Sequence, residues 1–190
     1  YLAIMFKLQN TRKIPLLKVN AQVFRHSEFG CTHLHLDCDS TEKAFSVAFR
    51  TIPKDHSGIA HILEHTVLCG SEKFPVRDPF FMMTRRSLST FMNAMTYPDI
   101  TAYPFATLND KDFGNLLSVY LDAAFFPKID ELDFMQEGHR FELIKDGEEE
   151  KLALKGVVYN EMKGAMSSIS SQADQGINEH LFENHTYGFN

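Results

Sequence analysis

The sequence predicts an α+β fold, a mainly antiparallel sheet flanked by helices, and three observations carry that prediction. Strand-like runs come in adjacent pairs joined by short turns, which reads as hairpins rather than crossover units. Between them lie longer stretches whose apolar residues recur at helical spacing. The 190 residues are 44% hydrophobic and 23% charged, enough for one domain with a sizeable core.

The elements follow in order. Tyr1 to Phe6 is apolar but too short for a signal h-region, and the chain lacks an initiator Met. It reads as trimmed, and no targeting segment is legible. Val19, Ala21 and Val23 share a strand face. After a turn at Phe29-Gly30, Leu34 and Leu36 alternate with His33 and His35, and Ala44 to Phe49 forms a further run beyond the connection Asp37 to Lys43. His33 and His35, with Cys31 beside them, invite a metal reading, but paired polar residues on a strand mark its solvated face. Asp55-His56-Ser57-Gly58 and Gly70 bracket a helix that Ile59, Ile62, Leu63, Val67 and Leu68 mark as largely buried. Gly70 to Pro79 is a turn-rich structured connection, and Phe80 to Leu88 a short helix. Phe91 to Thr96 and Thr101 to Thr107 form two strands joined at Pro98-Asp99. Asp110 caps a helix running to Pro127, with Phe113, Leu116, Leu117, Tyr120, Leu121 and Ala124 facing the core. Phe141 to Ile144 is a short strand, Asp146 to Glu150 an acidic turn, and Leu152 to Ser168 a second long helix. Past Ser170 the chain is polar and ends without a natural stop.

A formal net charge of −6 with no polybasic run argues against a nucleic-acid or anionic-membrane partner. No apolar stretch is long enough to span a bilayer. Cys31, Cys38 and Cys69 form no disulfide framework, which points to a reducing, intracellular setting.

The chemistry concentrates in His61-Ile62-Leu63-Glu64-His65. On a helix, positions i, i+3 and i+4 share a face, so two imidazoles and one carboxylate lie about a turn apart. Two neutral imidazole nitrogens suit Zn2+, which in catalytic sites takes three protein ligands and keeps a fourth position open. Glu64 is then free to take a proton from the attacking water. This H-x-x-E-H order is the inverzincin signature. The third ligand must come from elsewhere. Leu154, Val158, Glu161 and Ala165 form one stripe of the last helix, and Glu161 interrupts its apolar character. A core-facing carboxylate neutralises unless a cation meets it. Glu161 is therefore the leading third ligand, with Glu137 and Glu142 as rivals.

The motif continues Thr-Val-Leu-Cys-Gly-Ser-Glu-Lys-Phe-Pro-Val-Arg-Asp-Pro-Phe80. With Ser87-Leu-Ser-Thr-Phe-Met-Asn-Ala-Met-Thr96, Leu116-Leu-Ser-Val-Tyr-Leu-Asp122 and Gly156-Val-Val-Tyr-Asn-Glu-Met-Lys-Gly164, it resembles the pitrilysin (insulinase-like) zinc metallopeptidases. Within them it is most similar to the presequence protease subgroup, over nearly the whole chain from about Val19. The resemblance implies that His61, His65 and Glu161 bind zinc, that Glu64 is the general base, and that Asn93 and Ala94 sit on an edge strand where substrate lies. The 96-residue step from His65 to Glu161 fits that subgroup. One departure stands out: the wider family carries an acidic residue seven positions before the ligand glutamate, and here Leu154 stands there. Support for the metal ligands is then expected from another residue.

The resemblance further implies a single, C-terminally truncated catalytic domain over residues 1–190, the first of about four. Its partners would be unfolded peptide substrates, including cleaved targeting peptides, and the C-terminal half of the same enzyme, with no nucleic acid and no membrane. A mitochondrial matrix and a bacterial cytoplasm fit equally. Two other readings compete: a non-catalytic scaffold subunit of the family, which would have lost motif residues that are all present here, and a structural zinc site closed by Cys69 one turn past His65.

Overall fold

A computed structural model describes residues 5–147, 149–182 and 185–189. Most of the apolar opening stretch, Glu148 of the acidic turn and the terminal Asn190 lie outside them. The chain divides after Thr41 into two compact units. The first is a three-stranded antiparallel sheet of β1 (Phe6–Ile14), β2 (Val19–His26) and β3 (Thr32–Asp37), in that order. β1 has no sustained alternation and was not expected as a strand; it forms because β2 offers it a full antiparallel ladder, interrupted by one bulge between Leu8 and Asn10. Gly30 supplies the left-handed turn residue (φ 67°) before β3, where Leu34 and Leu36 lie exposed as well as His33 and His35, so the alternation marks no buried face within this unit.

The second unit is built on β4 (Lys43–Arg50), β7 (Ile100–Thr107) and β5 (Ser89–Met92), in the order β4-β7-β5, with β6 (Met95–Thr96) also paired to β7. All ladders are antiparallel. Phe45 faces Phe105, Val47 faces Tyr103 and Phe49 faces Thr101 across the ladder. Against this sheet pack α1 (Ile59–Val67), α2 (Pro79–Arg86) and α3 (Asp110–Phe125). Val67, Leu68, Phe80, Tyr103, Phe105, Leu116, Tyr120 and Ala123 form their shared core. Each large side chain so buried contributes about 1.5–3 kcal/mol. The cap of α3 is Asn109 rather than Asp110: its side chain accepts the Asp112 amide.

The edge β5–β6 breaks at Asn93-Ala94, and Pro104 gives the reason. Pro104 lies in β7 and accepts the Asn93 amide at 3.1 Å, but it has no N–H to return on that side of the strand. The edge chain turns instead, with the Ala94 amide donating to Asn93 Oδ1 and the Tyr120 hydroxyl donating to the Asn93 carbonyl.

The C-terminal part departs furthest from expectation. Leu152 to Lys155 do not begin a helix; they belong to β9 (Glu149–Lys155), which pairs with β8 (Arg140–Asp146) in a separate hairpin. Leu154 and Leu152 meet Phe141 and Leu143 across that ladder, an i, i+2 pattern that a helical stripe through Val158 masks. The helix, α5, runs only from Val157 to Ala165. Two short helices were not foreseen: α4 (Glu131–Glu137), capped by Asp130, and α6 (Ile169–Leu181), capped by Ser168. α4 is only seven residues long, while α6 carries a stripe of Ile169, Ala173, Ile177 and Leu181 that the polar residues around it mask; no side chain of α6 is buried.

Candidate metal centre

α1 carries three of the four motif residues on one face. It packs against α4, α5 and β6, which together determine what meets that face. The expected N-cap is absent: Gly58 opens the helix in a left-handed conformation without a side-chain cap, and Asp55 instead accepts the Ser57 amide. Ile62, Val67 and Leu68 are buried, but Ile59 and Leu63 are exposed, so α1 is buried along one stripe only.

The His61 and His65 rings stand 5.1 Å apart. Glu161 arrives from α5 with Oε2 3.7 Å from Nε2 of each. The three donor atoms lie within 4.8 Å of one another, and no other cluster of this kind occurs among the described residues. Donors about 2.0–2.2 Å from one ion in a tetrahedron stand about 3.3 Å apart, so the carboxylate contacts at 3.7 Å are near that spacing and the widest pair in the set would have to close by up to about 1.5 Å on Zn2+. Two imidazoles with one carboxylate is also a donor set found in catalytic zinc sites. The physical ground for Glu161 differs from the one the sequence suggested. It is not core-facing; its side chain is 55% exposed, against 20% for each histidine. The cluster is enclosed at the back and open at the front.

The two rivals occupy other places. Glu142 lies on the hairpin, where the Arg140 guanidinium bonds its carboxylate and holds its pKa below the usual range, with Lys155 at 3.6 Å. Glu137, buried at the end of α4, stands behind the site with Oε2 3.1 Å from His65 Nδ1. A carboxylate from a residue other than position 154 thus stands against the His65 ring. Glu137 precedes Glu161 by 24 residues, with the hairpin Arg140–Lys155 between them.

Glu64 is buried, and the Thr96 hydroxyl donates to its Oε2 at 2.6 Å. Thr96 lies on β6 beside Thr101, which bonds Thr51. Nothing in the sequence singled out Thr96; only the pairing of β6 with β7 brings it over the helix. Thr96→Val preserves shape but leaves Glu64 without this donor. A hydrogen bond to a charged group contributes about 1.5–3 kcal/mol. The expected result is a 10- to 100-fold fall in peptide hydrolysis with metal content unchanged, read by kcat/KM beside metal analysis. An unchanged kcat/KM would show that Thr96 does not hold the base.

A cavity of about 500 Å³ opens in front of the cluster and is lined by Glu64, Asn93, Ala94, Leu68, Phe80 and Phe81 among others. Asn93 and Ala94 thus occupy the break in the edge strand and line the same cavity as His61, His65 and Glu161. Cys69 lines it too but does not complete the donor set. Its thiol donates to the His65 carbonyl at 3.5 Å, and burial, with Glu137 next in effect, pushes its pKa up to about 12. That argues against a closed four-ligand structural site.

Comparison with known proteins bears on this arrangement. Residues 50–168 match the profile of the family described as Insulinase (Peptidase family M16). The mitochondrial presequence protease of Mus musculus is 51% identical over 183 residues, covering 96% of this chain and 18% of that protein. That of Schizosaccharomyces pombe is 48% identical over 186 residues, covering 97% of this chain and 19% of its own length. That of Candida albicans is 54% identical over 165 residues, covering 86% and 16%. The chain therefore spans less than a fifth of the length of these relatives. The crystal structure of pitrilysin shares the fold, with a TM-score of 0.70 at 20% identity over 96% of this chain and 18% of that one.

Proposed function

The chain belongs to the insulinase family, peptidase family M16, and from that premise we propose that it carries the zinc site of an endopeptidase that degrades short unstructured peptides, cleaved targeting peptides among them. The observation that carries this reading is the cluster of His61, His65 and Glu161 beside a buried Glu64 whose carboxylate accepts the Thr96 hydroxyl. The printed names of the relatives, mitochondrial presequence proteases, support the substrate class and a mitochondrial compartment. Among the described residues no helix is long and apolar enough to cross a membrane.

Zinc held by His61, His65 and Glu161 would supply Lewis acidity toward the scissile carbonyl and an activated water. The chain's own residues do the remainder. Glu64 takes the proton of the attacking water on its carboxylate and returns it to the leaving amine nitrogen, with Thr96 holding the carboxylate in place. The β5–β6 edge receives an extended peptide by main-chain hydrogen bonds, with Asn93 and Ala94 lining the same cavity as the ligands. The apolar wall of Leu68, Phe80 and Phe81 excludes water from one side of the cleft.

A fluorogenic unstructured peptide tests the function: hydrolysis by the full-length protein, lost on chelation and restored by zinc, is expected. Residues 1–190 alone should bind zinc yet turn over little peptide. Orientation supplies much of the rate, and this chain offers one wall of the cleft where the relatives are about five times longer. A comparable kcat/KM for the two chains would overturn the need for the remainder.

A further inference from the structure

We propose that a second cavity, of about 560 Å³ beyond His61, is a substrate subsite that takes a large apolar side chain of the peptide and turns acidic ones away. That side chain comes from the side of the cut opposite the wall of Leu68, Phe80 and Phe81. The proposal rests on the reading of the chain as a zinc peptidase and adds a rule of substrate choice to it.

Three elements step from the cleft into this cavity at the metal ligands. On α1, Glu64, His65 and Leu68 line the cleft, Gly58, Ala60 and Ile62 line the cavity, and His61 lines both. Along the edge strand the cleft takes Asn93 to Tyr97 and the cavity Thr96 to Pro98, so Thr96 and Tyr97 are shared. On α5, Glu161 lines the cleft, whereas Val158, Met162 and Met166, at i, i+4 and i+8, form a stripe along the cavity. An extended peptide added to the β5–β6 edge advances about 3.3 Å per residue. With its scissile carbonyl at the donor cluster, such a chain runs on past Thr96 and Tyr97, and the cavity opens within about two residues of the cut.

The lining decides what fits. Ile62 and Val158 are buried in the wall, and Met162, Met166 and Phe189 are half-buried, which makes the interior apolar. Unbranched thioether side chains adjust to guests of different shape. The charged groups are exposed at the mouth. There His56 sets its ring edge-on to Phe189 and its Nε2 3.9 Å from Glu179 Oε1, which also accepts the Gln175 side-chain amide at 2.9 Å. Glu179 is thereby held at the rim with Asp55, and no Lys or Arg stands among the described lining residues. Two carboxylates without a balancing cation repel a third. Targeting peptides, amphipathic and poor in acidic residues, offer the combination this space accepts.

The test uses the zinc-loaded full-length protein and unstructured peptides with a single cleavage site, identical except for the two residues beyond the cut on the cavity side. Mass spectrometry of the products locates the cut, and kcat/KM reads the preference. Phe or Leu there is expected to exceed Ala by about 10- to 100-fold, as filling an apolar pocket commonly gives, and Glu to fall below Ala. Met166→Trp fills the cavity and should lower the Phe peptide more than the Ala peptide, erasing the preference. Glu179→Lys should narrow the gap between the Glu and Ala peptides by about 10-fold at low salt and by less as salt rises. Thermal melting accompanies both, and the exposed Glu179→Lys keeps the test decisive if Met166→Trp does not fold. Equal kcat/KM across the set by an active wild type, or preferences that the variants do not move, overturns the proposal and leaves the peptidase reading standing. If the rest of the chain fills the cavity instead, Met166→Trp lowers the melting temperature and leaves the preference intact, which overturns it too. If the zinc-loaded wild type cuts none of the peptides, the peptidase reading fails and the subsite with it.

Discussion

Glu64→Gln in the full-length protein is expected to lower kcat for peptide hydrolysis by roughly 10²–10⁴-fold, the usual contribution of a positioned general base, while keeping one zinc per chain. The substitution is nearly isosteric and leaves a carbonyl oxygen for the Thr96 hydroxyl, so the local fold has no reason to change. Glu64 sits next to His65 in sequence, but its carboxylate is directed to Thr96, whereas His61, His65 and Glu161 face one another. The ligand variants should therefore behave in the opposite way. His61→Ala, His65→Ala and Glu161→Gln lose metal, and activity goes with it. Metal analysis of the four purified variants beside kcat separates the two classes. Full zinc occupancy in Glu161→Gln would take Glu161 out of the ligand set. Loss of zinc in Glu64→Gln would mean that Glu64 is a ligand and not the base.

Gly156→Ala should be the most damaging single methyl addition in the chain. A Cβ at Gly156 would stand 1.9 Å from the carbonyl oxygen of Gly138, which is backbone and has no side-chain freedom to yield. The two glycines close the base of the β8–β9 hairpin, with Glu137 one residue before it and α5, carrying Glu161, just after. Overpacking of this kind costs about 1–3 kcal/mol and sometimes more. For a chain of this size that lowers Tm by about 2–4 °C per kcal/mol. Because the strain falls between Glu137 and Glu161, zinc affinity should drop as well. Gly164, on α5 with nothing within 4 Å of its Cβ position, is the matched control. Gly164→Ala should raise stability by about 0.5–1 kcal/mol through the lower entropy of the unfolded chain. Calorimetry on the two variants decides: equal melting temperatures would show that the hairpin base has room the structure does not display.

Much of this was legible in the residues alone, for a reason that is local. His61, Glu64 and His65 are placed by helical periodicity within five residues, and any helix there puts them on one face. The strands β4 and β7 and the helix α3 follow from period-2 and period-3.6 apolar patterns that burial on one side imposes, whereas β2 and β3 carry the alternation without a buried side. Glu161 was singled out by its place in an apolar stripe; in the fold it stands beside His61 and His65 with its side chain exposed, so the argument from burial does not hold.

What only the tertiary structure decided depends on contacts between residues far apart in sequence. Leu154 fits a helical stripe through Val158 as well as a strand opposite Phe141, and only the pairing of β8 with β9 chooses. Glu137 was a rival ligand by composition; the fold places its carboxylate at His65 Nδ1, outside the cluster of His61, His65 and Glu161. Thr96 is an ordinary strand threonine until β6 pairs with β7 and brings it over Glu64. Pro104 carried a readable signal for the break at Asn93-Ala94, since proline in a strand removes a ladder donor, but which neighbour loses that bond depends on sheet order. Sequence determines chemistry wherever the spacing along one element is enough to assemble it. Hydrogen-bond partners 32 and 72 residues apart, as for Thr96 with Glu64 and Glu137 with His65, exist only once packing has brought their elements together.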